Sequence, residues 1–269
     1  MNDFHLRLEN HWLACMASAG GGAPVSRTLG GLVVVNPAVA GYAFNFMALR
    51  AVEPARLATA TELGGALLAG GERPPAVFLS PAAGDQAQLG AGLMALGWRP
   101  LLRQSVLVRE LTALPPCATG VRVEAVGPDQ VPGWGRLLAE AYEVDPLTGE
   151  ALAEAWGAML TGSDAGWRAT GYLATVGEVP AGTGLLWSQG EIAGLYCGAV
   201  LPHMRRQGVH RATVLRRLAD AAGAGCHWAV LQTEAGSPVE SLCTRELGFT
   251  VAYNRELWIP ESAGYPRTL

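Results

Sequence analysis

The chain has 269 residues, half of them hydrophobic and only 16% charged, with a formal net charge of -4. That balance predicts a sizeable core and excludes global disorder. Mild acidity, with a sequence pI near 5.8, argues against a general nucleic-acid binder, whose surface would be strongly basic.

In chain order, 10–19 has the spacing of a short helix, with His11 and Trp12 as packing residues. Segments 31–35 and 42–49 read as strands, 54–69 as an Ala/Leu-rich helix and 76–79 as a buried strand. A helix over 86–96 and a strand over 101–110 follow. The stretch 111–120, L-T-A-L-P-P-C-A-T-G, has the Pro and Gly content of a linker and splits the chain near its middle. Beyond it, 121–126 alternates as a strand, and 131–143 and 151–160 have helical spacing. Strands over 167–176 and 181–188 flank the turn G-E-V-P. A strand over 191–200, a helix ending near 224, a strand over 227–233, a helix over 239–247 and a strand over 249–259 complete the order. The two halves close alike: L-M-A-L-G-W and C-T-R-E-L-G-F each end a helix at Leu-Gly-aromatic and feed a strand. Glycine just past a helix is an ordinary stop, but its recurrence with the same neighbours points to duplication.

The segment V-L-P-H-M-R-R-Q-G-V-H-R-A, residues 200–212, carries the chemistry. A turn between a strand and a helix exposes backbone N–H groups at a helix N-terminus, and Gly208 removes a Cβ from their path, which makes an anion site. Arg205, Arg206, Arg211, Arg216 and Arg217 cluster there on an otherwise acidic chain, with no acid between Leu201 and Ala219. Arg216 and Arg217 read as a solvated helix face, whereas Arg205, Arg206, Gln207 and Gly208 read as the anion turn. All the lysine-type charge of the chain is arginine, a matter of genome composition more than of function.

These residues resemble the coenzyme-A-binding signature V-x-P-x-x-R-x-x-G-x-[GA] of the GNAT (GCN5-related) N-acetyltransferases. Val200, Pro202, Arg205 and Gly208 match it in register; His210 departs from it, placing a larger side chain and a possible donor beside the expected pyrophosphate. The element order after the linker is similar to that of the same family. The resemblance implies an α/β (α+β) fold of two tandem GNAT-like domains, each a mixed, mostly antiparallel sheet flanked by helices. Residues 1–113 would be a degenerate copy without the turn, and 120–269 the copy that keeps the acyl-CoA site.

The resemblance further implies that Arg206, Gln207, Gly208, Val209, His210 and Arg211 offer amides to the pyrophosphate. The strand through Ala199, Val200 and Leu201 would run beside the pantetheine arm and supply an N–H to the thioester carbonyl, a donor worth ~2.7–4 kcal/mol. The family's frequent tyrosine acid falls on Thr244, its asparagine on Ser237 and its occasional strand glutamate on Gly194, none of which can take those roles. Glu234 is the best remaining base, its alternative a solvated residue before a turn. Tyr196 shares the Gly194 face and either points into an acceptor site or packs on a neighbour.

Five cysteines (Cys15, Cys117, Cys197, Cys226 and Cys243) without C-x-x-C pairing give neither a zinc pattern nor a disulfide framework and suit a reducing cytosol. Cys197 and Cys243 have no histidine placed to activate them and read as structural. The histidines lack metal-ligand spacing, so no metal is expected. Residues 1–10 lack the pattern of a signal peptide, and no apolar run is long enough to cross a bilayer. The expectation is a cytoplasmic acetyl-CoA-dependent N-acyltransferase acting on a small-molecule or peptide amine, with no nucleic-acid or membrane partner. The alternative is a catalytically silent CoA-binding sensor or interaction protein.

Overall fold

The computed structural model describes residues 2–22, 25–28, 30–36, 42, 44–68, 75–114, 120–161 and 166–263. Two compact units emerge: residues 1–106 with 233–240 and 251–269, and residues 107–232 with 241–250. Both units are assembled from non-contiguous stretches, whereas the inferred copies, 1–113 and 120–269, are each continuous in sequence. Of the linker, 115–119 lie outside the described residues.

The first unit begins with α1 (Asp3–Gly22). It starts seven residues before the predicted helix because the Asn2 side chain accepts the His5 amide at 2.8 Å, an N-terminal cap. Leu8, Trp12, Cys15, Met16 and Ala19 are buried along one face of it, at helical spacing. Strands β1 (Val25–Thr28), β2 (Gly31–Val34), β3 (Phe46–Leu49) and β4 (Val77–Leu79) follow, with α2 (Leu57–Leu68) before β4. Then come α3 (Gln86–Ala95) and β5 (Trp98–Glu110). The β1 strand was not foreseen. The strands lie in the order β1-β2-β3-β4-β11-β5, where β11 (Thr250–Pro260) is the last strand of the chain. β1, β2 and β3 pair antiparallel, β3 and β4 parallel, and β4 and β11 antiparallel. Val33, Met47, Leu57, Leu79, Leu93 and Trp258 belong to one buried cluster that joins α2 and α3 to this sheet.

In the second unit the order is β5-β10-β9-β8-β7-β6, with β6 (Val121–Ala125), β7 (Trp167–Val176), β8 (Val179–Gln189), β9 (Ile192–Val200) and β10 (Trp228–Glu234). β6 to β9 form an antiparallel meander and β9 pairs with β10 in parallel. The parallel step requires a crossover, which α6 (Val209–Gly223) supplies. Helices α4 (Val131–Ala141), α5 (Pro146–Thr161) and α7 (Pro238–Glu246) complete the element list, α7 being divided between the units. Trp134 is buried on α4, and its indole N–H donates to the Tyr172 carbonyl of β7 at 3.1 Å, satisfying the ring's polar group inside the core. Both foreseen helix stops are present: Gly97 and Gly248 have φ of +76° and +68°, the left-handed conformation that glycine takes without a Cβ penalty.

Candidate acyl-CoA site

Two departures from regular β9 pairing define the site. The first is that β9 and β10 pair only over Trp228↔Ile192, Ala229↔Ala193 and Val230↔Gly194. Beyond Gly194, β9 continues to Val200 without a β10 partner in that register, so a parallel pair opens along its length. On its other edge β9 stays paired, Ala199 with Thr183 and Val200 with Gly182. The Leu201 amide donates to the Ala181 carbonyl at 3.0 Å.

The second is a bulge. The register slips by one residue between Leu185↔Tyr196 and Thr183↔Ala199, and Cys197 sits in the left-handed region with φ of 50°. A non-glycine residue there costs about 1–2 kcal/mol, so surrounding groups must hold it. Thr183 Oγ1 donates to the Cys197 carbonyl at 3.0 Å, and Arg217 Nη1 donates to the Tyr196 carbonyl at 2.9 Å.

After β9 the chain makes a short turn of 3-10 helix over Pro202–Met204, then an extended residue, Arg205. Arg206 (φ 64°) and Gly208 (φ 79°) are left-handed and flank Gln207, which is not. Such alternation turns successive N–H groups toward one concavity. Gly208 caps α6 without a side-chain bond, and no atom stands within 4 Å of where its Cβ would be. Residues 205–208 are exposed while Val209 is buried. Among the described residues, the Met204 and Arg205 amides return to Leu201 and Pro202, and Ala212 opens the helical ladder on Gly208; the amides between them, from Arg206 to Arg211, have no acceptor among the turn and cap bonds. Orphan donors and the positive end of the α6 dipole therefore meet at an open surface.

The arginines divide by role. Arg205 forms an exposed ion pair with Glu143 at 3.1 Å and Arg211 one with Glu246 at 3.6 Å. Arg206 is exposed. Arg216 bridges Asp220 and the Val123 carbonyl. Arg217 corrects the expectation of a solvated face: it is 1% exposed, and it donates to the Thr213, Leu185 and Tyr196 carbonyls. Burial pushes its pKa down to about 10, which leaves it protonated at neutral pH. The helix rotates this position onto β8 and β9, where Gly184 and Gly198 leave room for a guanidinium.

His210 is a second correction. Its ring does not stand over the turn but lies under β9, where a Cβ on Gly198 would come within 3.2 Å of its Cε1. Burial, and secondarily the charge of Arg217, lowers its pKa to about 4. Its Nε2 is buried without a hydrogen-bond partner among the described residues. Its amide is one of those at the start of α6 without an acceptor among the turn and cap bonds.

Tyr196 is buried and folded across Gly194, whose Cβ would fall 2.2 Å from the ring. Glu234 is exposed at the end of β10. Ser237 is the N-cap of α7, accepting the Glu240 amide at 3.2 Å, and the Thr244 hydroxyl bonds back to the Ser241 carbonyl. Burial pushes the Cys197 thiol well up and that of Cys243 to about 11, so neither is a ready thiolate. The sequence reading did not single out Thr183, and it took Cys197 as structural and Arg217 as part of a solvated face without connecting either to a bend in β9. The glycines at 182, 184, 194 and 198, unusual inside two strands, were the available signal, since strand glycines mark bulges and close approaches.

No family model and no curated protein sequence matches this chain. Solved structures do. A GCN5-related N-acetyltransferase from Kribbella flavida is 17% identical, with a TM-score of 0.73 and 96% of each chain covered. A conserved protein of unknown function from Staphylococcus epidermidis ATCC 12228 is 13% identical, with a TM-score of 0.70, covering 91% of this chain and 96% of that one. A tandem GNAT protein from the clavulanic acid biosynthesis pathway is 14% identical, with a TM-score of 0.57, covering 98% of this chain and 97% of that one. The fold is that of the GNAT acetyltransferases.

Proposed function

We propose that the turn formed by Arg206, Gln207, Gly208, Val209, His210 and Arg211 holds the pyrophosphate of an acyl-coenzyme A, acetyl-coenzyme A in the first instance, and that the chain moves the acyl group to an amine. The observation that carries this reading is the open row of uncapped amides at the start of α6, one strand-end away from the opening between β9 and β10. Arg205, although paired with Glu143, adds positive charge at the rim. The free edge of β9 at Ala199, Val200 and Leu201 offers the pantetheine arm a strand-like partner. Such backbone recognition tolerates side-chain divergence, which suits a chain lacking the family's usual tyrosine and glutamate.

Transfer by direct attack requires a free amine lone pair, a stabilised oxyanion and a proton for the departing thiolate. Glu234, an exposed carboxylate at the end of β10, is proposed to take the amine proton, directly or through water. The Tyr196 hydroxyl is the proposed second polar group. The two copies over 1–113 and 120–269, and a cytoplasmic setting without metal, belong to the same proposal. No helix among the described residues is long and apolar enough to cross a membrane.

Acetyl-coenzyme A should raise the melting temperature and bind saturably; ligand at 100 times its Kd stabilises a protein by ~2.7 kcal/mol. Absence of any shift at millimolar ligand overturns the reading. A silent CoA-binding protein is the second reading, favoured by Thr244 spending its hydroxyl on its own helix. Amine-dependent release of free thiol across an amine panel decides for the transferase.

A further inference from the structure

We propose that Arg217 is a positioning residue: from α6 it holds the left-handed bulge of β9, so that the Cys197 and Gly198 amides keep a fixed direction toward the thioester carbonyl. The inference rests on the acyl-CoA reading of the turn and deepens it.

A buried guanidinium ordinarily sits with a carboxylate. Among the described residues Arg217 has none within ion-pair distance, and its partners are three backbone carbonyls, at 3.0 Å for Thr213, 3.2 Å for Leu185 and 2.9 Å for Tyr196. Leu185 and Tyr196 are the last regular pair before the register slips. The charge is therefore placed on the two strands at the point where their ladder breaks, while Thr183 ties down the next carbonyl, that of Cys197. Both peptides flanking the left-handed residue are thus fixed from within the protein. Space for this has been cleared in both strands. A Cβ on Gly184 would stand 3.0 Å from the guanidinium carbon, and one on Gly198 3.3 Å from Nη2.

A trans peptide sends its N–H opposite to its C=O, so anchoring the Tyr196 carbonyl on Arg217 aims the Cys197 N–H away from α6. Anchoring the Cys197 carbonyl on Thr183 of β8 aims the Gly198 N–H away from β8, toward the edge of β9 that β10 leaves uncovered. A charged donor on a peptide oxygen also strengthens the N–H of that peptide as a donor, because hydrogen bonds in a chain polarise one another. A residue needed only to fill space could be replaced by one of similar volume. A residue that polarises a peptide could not.

The test is isotope-edited infrared spectroscopy of carbonyl-labelled acetyl-coenzyme A bound to the full chain. In the wild type the thioester stretch should move to lower frequency than in free ligand. In R217M, shown to be folded by circular dichroism and a cooperative melt, affinity should stay within twofold, since the turn is intact. The bound stretch should return at least halfway to the free value. R217K should recover part of the displacement, and T183V, which removes one small bond, should lose part of it. A wild-type frequency in R217M overturns the inference, and in T183V it does so alone if R217M fails to fold. An undisplaced stretch in the bound wild type overturns it too, leaving the binding reading intact. No saturable binding by the wild type overturns the acyl-CoA reading, and the inference with it.

Discussion

Two residues only two positions apart, Gly208 and His210, show how the same short motif serves both the surface and the interior. Gly208 is left-handed and unobstructed, so a side chain there strains the backbone and covers the amides. Gly208→Val is expected to destabilise by about 1–2 kcal/mol and to weaken acetyl-coenzyme A binding by roughly tenfold or more, equivalent to ~1.4 kcal/mol, as read by calorimetry and urea melts. His210 faces inward and its folded pKa of about 4 lies below the ordinary imidazole value of 6.5. Between these values the unfolded chain takes up a proton that the folded chain refuses. Stability from this group is therefore full above pH 6.5 and falls as pH drops toward 4, by up to about 3 kcal/mol. His210→Leu should flatten that part of the pH profile, and equal slopes for variant and wild type in urea melts between pH 7 and 4.5 would contradict the burial argument.

At the scale of elements, caps and interruptions decide where regular structure stops. Asp85 accepts the Ala87 and Gln88 amides at the head of α3, at 3.0 and 3.1 Å. Asp85→Ala should cost about 1 kcal/mol of unfolding free energy in a denaturant melt. The β9 strand shows the opposite economy, a bulge that weakens pairing and is retained by Thr183 and Arg217. Bulges re-aim backbone groups, and this one lies in the stretch of β9 that β10 no longer covers. The linear reading placed β9 and α6 well because hydrophobic runs and a glycine stop are local signals. It did not find the bulge: the strand glycines mark an irregularity, but Cys197 itself has no residue-type signature for a left-handed backbone.

At the scale of the whole molecule, the chain assembles its compact units from non-contiguous segments. The first unit buries an ion pair, Arg255 with Glu9 at 3.7 Å, both side chains at most 2% exposed. The Arg255 guanidinium also stacks on the Trp12 ring at 3.5 Å and takes the Gln104 side-chain oxygen at 2.9 Å. Arg255→Met leaves a buried carboxylate without its counter-ion and should cost ~3–5 kcal/mol. The double variant with Glu9→Gln should recover a substantial part of that loss, by comparison of melts. Glu9 on the first helix and Arg255 on the last strand are 246 positions apart in sequence, and no periodicity could have joined them.

By itself the sequence determined the order of helices and strands after residue 120, both Leu-Gly-aromatic stops and the location of the glycine turn between β9 and α6. Each of these is set by neighbours within a few residues: period, capping and the freedom of glycine. Only the tertiary structure decided that Arg217 and His210 turn inward, that β11 joins β4, and that Cys197 bends the strand. Those outcomes depend on which surfaces meet across the fold, where desolvation and carbonyl geometry outweigh the ordinary preference of a charged side chain for water.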